Sequence, residues 1–166
     1  MVDIIIAVVI RFFHIMFGIA WIGAVMYGVG VLRRALARVD PAARKETMKR
    51  LIPVVERYLP GSAAMTIIFG TILLFYLRDF QVSYIVDSLW GWILIAALVL
   101  ALTSFVIGMT LGIGSAKKIL VHLNEDACTH GPEVGVLQKR FNVTQFINLG
   151  FGFAIVALMV VATTIG

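Results

Sequence analysis

Charged side chains are scarce in this sequence. Asp, Glu, Lys and Arg make up 14% of its 166 residues, where a soluble globular chain carries about a quarter. With 61% hydrophobic residues and a mean hydropathy of +1.01, too little polar surface remains for an ordinary water-facing domain. Cysteine is scarcer still: Cys128 stands alone, which excludes an intrachain disulfide framework. Four prolines and no low-complexity tract leave little room for disordered linkers. Phosphate-binding glycine loops, nucleophile elbows and paired intramembrane carboxylates are missing, which argues against hydrolytic enzymes. The net charge of +5 is basic, but the basic residues flank long apolar runs. They are placed to meet the headgroups of a lipid bilayer, not nucleic acid.

What the chain does have is four long apolar runs, at about 4–32, 61–77, 89–116 and 141–165. A hydrocarbon core of ~30 Å is crossed by roughly 20 helical residues. In lipid every backbone amide must be satisfied within the segment, so each run is expected to be a helix. The fold class expected is therefore all-α: a polytopic membrane protein, with 1–166 a single domain built as a four-transmembrane-helix bundle. The first run has no basic leader and exceeds an h-region of 7–15 residues, so it is read as retained.

Basic residues set the expected orientation. Arg33, Arg34, Arg38, Arg44, Lys45, Lys49, Arg50 and Arg57 lie between runs one and two. Lys117, Lys118, Lys139 and Arg140 lie between runs three and four. The positive-inside rule puts both of these loops in the cytoplasm and both termini outside a plasma membrane. Within the first loop, Asp40-Pro41 reads as an N-cap and first turn. Met48, Leu51, Ile52, Val55 and Leu59 then share a face, giving a basic amphipathic cytoplasmic helix at the membrane surface. Pro53 is expected to bend it, and Pro60-Gly61 to turn the chain into the second span. Trp90 and Trp92 fit an aromatic belt at the outer interface.

Chemistry is most legible in the first span. Arg11, His14, Gly18, Trp21, Val25 and Gly28 fall along one helix face, and an ionisable residue inside a span is costly enough to mark a functional candidate. A neutral imidazole at His14 is able to ligate haem iron. Gly18 would leave room for a flat macrocycle, Arg11 would pair with a propionate, and Trp21, Phe13 and Phe17 would supply aromatic walls. The same residues also suit a plainer arrangement, in which His14 hydrogen-bonds a neighbouring helix and the glycines allow close packing. Met65 and Met109 are candidates for a second axial ligand, as are His14 of a second subunit or an open iron position.

Other polar residues carry weaker signals. Asn142, Gln145 and Asn148, at spacings of three, form a stripe that either glues helices or contacts a quinone or substrate. His122, Cys128 and His130 lie close enough to bind a transition metal, although their spacing matches no standard zinc pattern. Ala20, Ala24 and Gly28, with Gly108 and Gly112, form small-residue ridges that would serve close helix packing or a homo-oligomer.

The pattern His14-x3-Gly18-x2-Trp21-x-Gly23-x3-Tyr27 resembles the first membrane helix of three groups of small membrane proteins. These are the copper-resistance D family, the membrane domain of membrane-anchored urate oxidases, and the bacterial membrane protoporphyrinogen oxidases. In the last group such a helix binds haem, and a fourth helix opens with an Arg-Phe-Asn-like stretch, to which Arg140-Phe141-Asn142 is similar. The likeness covers about 25 residues closely and the four-helix plan loosely. It implies haem b at His14. It supports haem b there more than that oxidase activity, because spans two and three hold no lysine and Val143 stands where an acidic residue is expected.

The expectation is thus a membrane haem b protein in electron transfer or in oxidation of a small hydrophobic substrate. Two other classes stay open. One is a metal or small-solute transporter, as the copper-resistance likeness would imply, although no continuous polar path runs through the spans. The other is a non-catalytic membrane subunit or assembly factor that engages partner helices through its small-residue ridges.

Overall fold

The computed structural model describes residues 2–77, 81–124 and 131–165, and no strand occurs among them. Among the described residues seven α-helices follow one another: α1 (Val2–Tyr27), α2 (Arg33–Leu36), α3 (Pro41–Tyr76), α4 (Val82–Val86), α5 (Leu89–Ile107), α6 (Gly114–Asn124) and α7 (Gly131–Ile165). Two π-helical segments, Gly28–Leu32 and Gly108–Ile113, join α1 to α2 and α5 to α6 without a break. The result is four helical rods, Asp3–Leu36, Pro41–Tyr76, Leu89–Asn124 and Pro132–Ile165, each long and apolar enough to cross a membrane. The four-helix expectation from hydropathy is borne out.

The rods form a bundle. α1 lies mainly against α3, while α7 packs against α5 and α6. Asp3 and Tyr76 meet at one end, where the Tyr76 hydroxyl donates to the Asp3 carbonyl at 3.4 Å. At the other end, Ile52 of α3 packs with Ala116 and Ile119 of α6 and Leu137 of α7. That second contact gathers the two basic loops at a single end, called here the basic end. Between the ends, Trp21, Val25, Ala63 and Ala101 form the core cluster.

α3 departs from the expected course. Asp40 does cap it, accepting from the amides of Ala42 at 2.9 Å and Ala43 at 3.2 Å. The helix then continues through both Pro53 and Pro60 for 36 residues, with no turn at Pro60-Gly61. A proline inside a helix removes one backbone donor, here freeing the carbonyls of Lys49 and Glu56, four residues before Pro53 and Pro60. Just beyond Pro60, Ser62 bonds back to its own helix, donating to the carbonyls of Tyr58 at 2.9 Å and Leu59 at 3.1 Å. The amphipathic stretch is thereby the basic-end part of the second rod. Its apolar residues Met48 and Ile52 face α6 and α7. α7 likewise starts ten residues before the fourth apolar run, at Gly131.

Candidate functional site

His14 faces α3. Its Nδ1 lies 2.9 Å from the carbonyl oxygen of Thr66. Only a protonated nitrogen can donate to that carbonyl, so the bond selects the tautomer with hydrogen on Nδ1. Nε2 is left with its lone pair and has no hydrogen-bond partner among the described residues. The approach is possible because Gly70, one turn beyond Thr66, lacks a side chain. A Cβ there would stand 2.6 Å from His14 Cε1 and 2.8 Å from Nδ1.

Aromatic rings stand beside this contact. Phe13 and Phe17 of α1 both stack on Phe69 of α3, with centroids 5.3 Å and 5.8 Å away and interplanar angles of 20° and 7°. Offset stacks of this kind stabilise by ~0.5–1.5 kcal/mol beyond the area they bury. Here they fix the rotation of α1 about its axis, and with it the direction of the His14 ring. Arg11, one turn toward the N-terminus, is exposed and makes no ion pair or hydrogen bond among the described residues.

The expected site residues divide into two layers. Gly18 is half-buried against α3, where a Cβ would sit 3.7 Å from the Thr66 methyl. Its bare face is therefore already covered by Thr66. Trp21 does not join His14. It is 6% exposed and lines a separate cavity of about 30 Å³ on the basic-end side, together with Met109, Gln145 and Asn148. Trp21 follows His14 by seven residues, which places the cavity about 10 Å along the α1 axis. Asn142 is half-buried and is not part of the cavity wall.

The cavity owes its shape to local sequence. Ser104 Oγ donates to Asn148 Oδ1 at 3.0 Å, both residues being buried. Gly108 and Gly112, one turn apart in the π segment, let α7 approach closely. A Cβ on Gly108 would be 3.0 Å from Asn148 Nδ2, and one on Gly112 would be 3.4 Å from the Thr144 methyl. Pro60 of α3 closes the opposite wall.

The loop candidates fare differently. His122 ends α6 and is half-buried, whereas Cys128 and His130 lie outside the described residues. No group of three or more His, Cys, Asp or Glu side chains is placed to hold a metal ion among the described residues. Between α4 and α5, exposed Trp92 donates to the Val86 carbonyl at 2.9 Å.

The partners of His14 escaped the sequence reading, yet a signal for them exists. Ser62, Thr66 and Gly70 recur every four residues, a small-residue ridge that invites a neighbouring helix. Asn148 was marked by its polar stripe as helix glue, and it does bond across to α5, while its partner Ser104 carried no comparable signal. The chain matches no protein-family model, no curated protein and no solved structure. The resemblance at α1 accordingly rests on the residues that carry it.

Proposed function

We propose that the chain is a multi-pass membrane protein that holds haem b through His14 and works in electron transfer or in oxidation of a small hydrophobic substrate. The observation that carries this reading is the Thr66 hydrogen bond to Nδ1. Metal-ligating histidines commonly donate the other ring N–H to a carbonyl, which fixes the tautomer and raises ligand basicity. His14 meets that requirement with Nε2 open.

Gly18, covered by Thr66, and Trp21, in the separate cavity, take no part, while other surrounding residues suit the group. Phe13, Phe17 and Phe69 give a flat aromatic surface for a macrocycle. Arg11 lies one turn from His14 on the same face, where its guanidinium would neutralise a propionate. Haem bound here would supply a one-electron couple tuned by burial and by the imidazole hydrogen bond. The basic loops support an orientation with the basic end in the cytoplasm, so His14 lies in the outer half of the bundle.

A second reading draws on the same bond. His14 would then act only as an interhelical fastener, donating to Thr66 and seated on Gly70. Interhelical hydrogen bonds of this type contribute about 0.6 kcal/mol.

Visible spectra separate the two. Purified from haem-replete cells in mild detergent, the wild type is expected to show a Soret band and reduced α/β bands that collapse in His14→Ala. A wild type that stays colourless after haem reconstitution overturns the haem reading and leaves the fastener.

A further inference from the structure

We propose that the cavity between Trp21 and Asn148 binds the ring carbonyl of a lipid-soluble quinone, at a site separate from His14. The cavity has the donor set for a neutral acceptor. Asn148 is 9% exposed, and its Oδ1 is engaged by Ser104. Its Nδ2 finds no acceptor among the described residues and packs beside Gly108, which lines the cavity with it. Gln145, one turn away on α7, brings a second amide to the same wall. An amide hydrogen that reaches the cavity without a protein acceptor is free to bond a ligand carbonyl.

The absence of charge narrows the ligand. No charged side chain lines the cavity, and an anion buried without a counter-charge would be strongly disfavoured. Carboxylates and phosphates are therefore poor occupants, while a neutral carbonyl suits the site. Trp21 and Phe105 offer aromatic surface to a flat ring.

Access and shape agree with this assignment. About 30 Å³ holds roughly two waters, enough for the carbonyl edge of a ring. Met109 lines the cavity and is 39% exposed, so the cavity reaches the bundle's apolar exterior there. An unbranched thioether can swing to admit the rest of the ring. The wall is also irregular helix on two sides, with Pro60 in α3 and the π segment Gly108–Ile113 opposite. Single π turns in α-helices occur frequently at functional sites.

The proposal does not depend on haem at His14. The test is titration of the full-length protein in detergent with decylubiquinone, followed by quenching of tryptophan fluorescence. The expected result is saturable quenching. Asn148→Leu should weaken it by about tenfold, the equivalent of one hydrogen bond to a buried group. Met109→Phe, which plugs the mouth and leaves the Ser104–Asn148 pair intact, should weaken it as much and guards against misfolding of the first variant. An analogue whose ring carbonyls are methyl ethers should bind about tenfold more weakly for the same reason. His14→Ala should bind like wild type, so a variant without haem that still binds quinone separates the two readings. Quenching that never saturates, or that is equal in wild type and both variants, overturns the proposal. So does displacement of the quinone by added phosphatidylcholine, which would assign the site to a lipid ester carbonyl.

Discussion

The imidazole of His14 occupies the space that a side chain on Gly70 would need: a Cβ there would lie 2.6 Å from His14 Cε1. The two residues are on different helices, and neither position tolerates change without the other responding. Because the ring is the far end of a rotatable side chain, Gly70→Ala should displace His14 before it unfolds the bundle. We expect loss of the Thr66 bond and of most bound haem, with a stability cost of ~1–3 kcal/mol. Absorbance at the Soret band against thermal melting in detergent measures both. Full haem occupancy in Gly70→Ala would place the ligand elsewhere.

Thr66 makes an opposite prediction. His14 bonds its backbone carbonyl, while its hydroxyl donates to the Ser62 carbonyl at 2.8 Å. Thr66→Val therefore keeps the partner of His14 and, on the proposed haem reading, should leave the haem spectrum unchanged. Stability should move by under about 1 kcal/mol, since helix hydroxyls that bond back to their own backbone contribute little. A bleached Thr66→Val protein would mean that the hydroxyl takes part in the site.

Ser104 and Asn148 should be energetically coupled across the α5–α7 contact. A double-mutant cycle with Ser104→Ala and Asn148→Leu, read by denaturant unfolding in micelles, is expected to give about 0.6 kcal/mol and at most ~1.7. Zero coupling would show that each side chain is satisfied by its own helix.

Glu56 offers a stability test away from both layers. Its Oε1 is buried and has no hydrogen-bond partner among the described residues. An unpaired buried acceptor costs roughly 1–3 kcal/mol. Glu56→Met should accordingly raise the melting temperature, and Glu56→Gln should raise it less. A fall in both would reveal that the carboxylate holds a water or a cation.

Much of this architecture can be read directly from sequence, and the exceptions have physical causes. Long apolar runs and basic loops need only length and hydropathy, so the four rods were legible. The turn expected at Pro60-Gly61 does not form, because α3 continues through both prolines with its Ala63 and Ile52 faces packed against the rest of the bundle, a tertiary constraint that proline counting misses. The π segments are invisible to a periodicity of 3.6. His14 was legible as an ionisable residue within a span, but its orientation depends on Thr66 and Gly70, 52 and 56 residues away, where a small-residue ridge marks a packing face without saying which helix it meets. Trp21 was grouped with His14 because the two share a face of α1. Height along the bundle, set by what α3, α5 and α7 bring alongside, assigns Trp21 to the inner cavity instead.

One consequence of the uninterrupted α3 concerns lever length. At 36 residues it measures about 54 Å, against ~30 Å for a bilayer's hydrocarbon core. A rod of that length set across such a core would leave about twenty ångströms outside it, and the contacts of Ile52 with α6 and α7 brace the basic side. A load applied to that protruding end, by a docking protein or a charged surface, would be carried along α3 as a tilt. Pro60, Thr66 and Gly70 would move with it, so the inner cavity and the His14 contact would feel the same push.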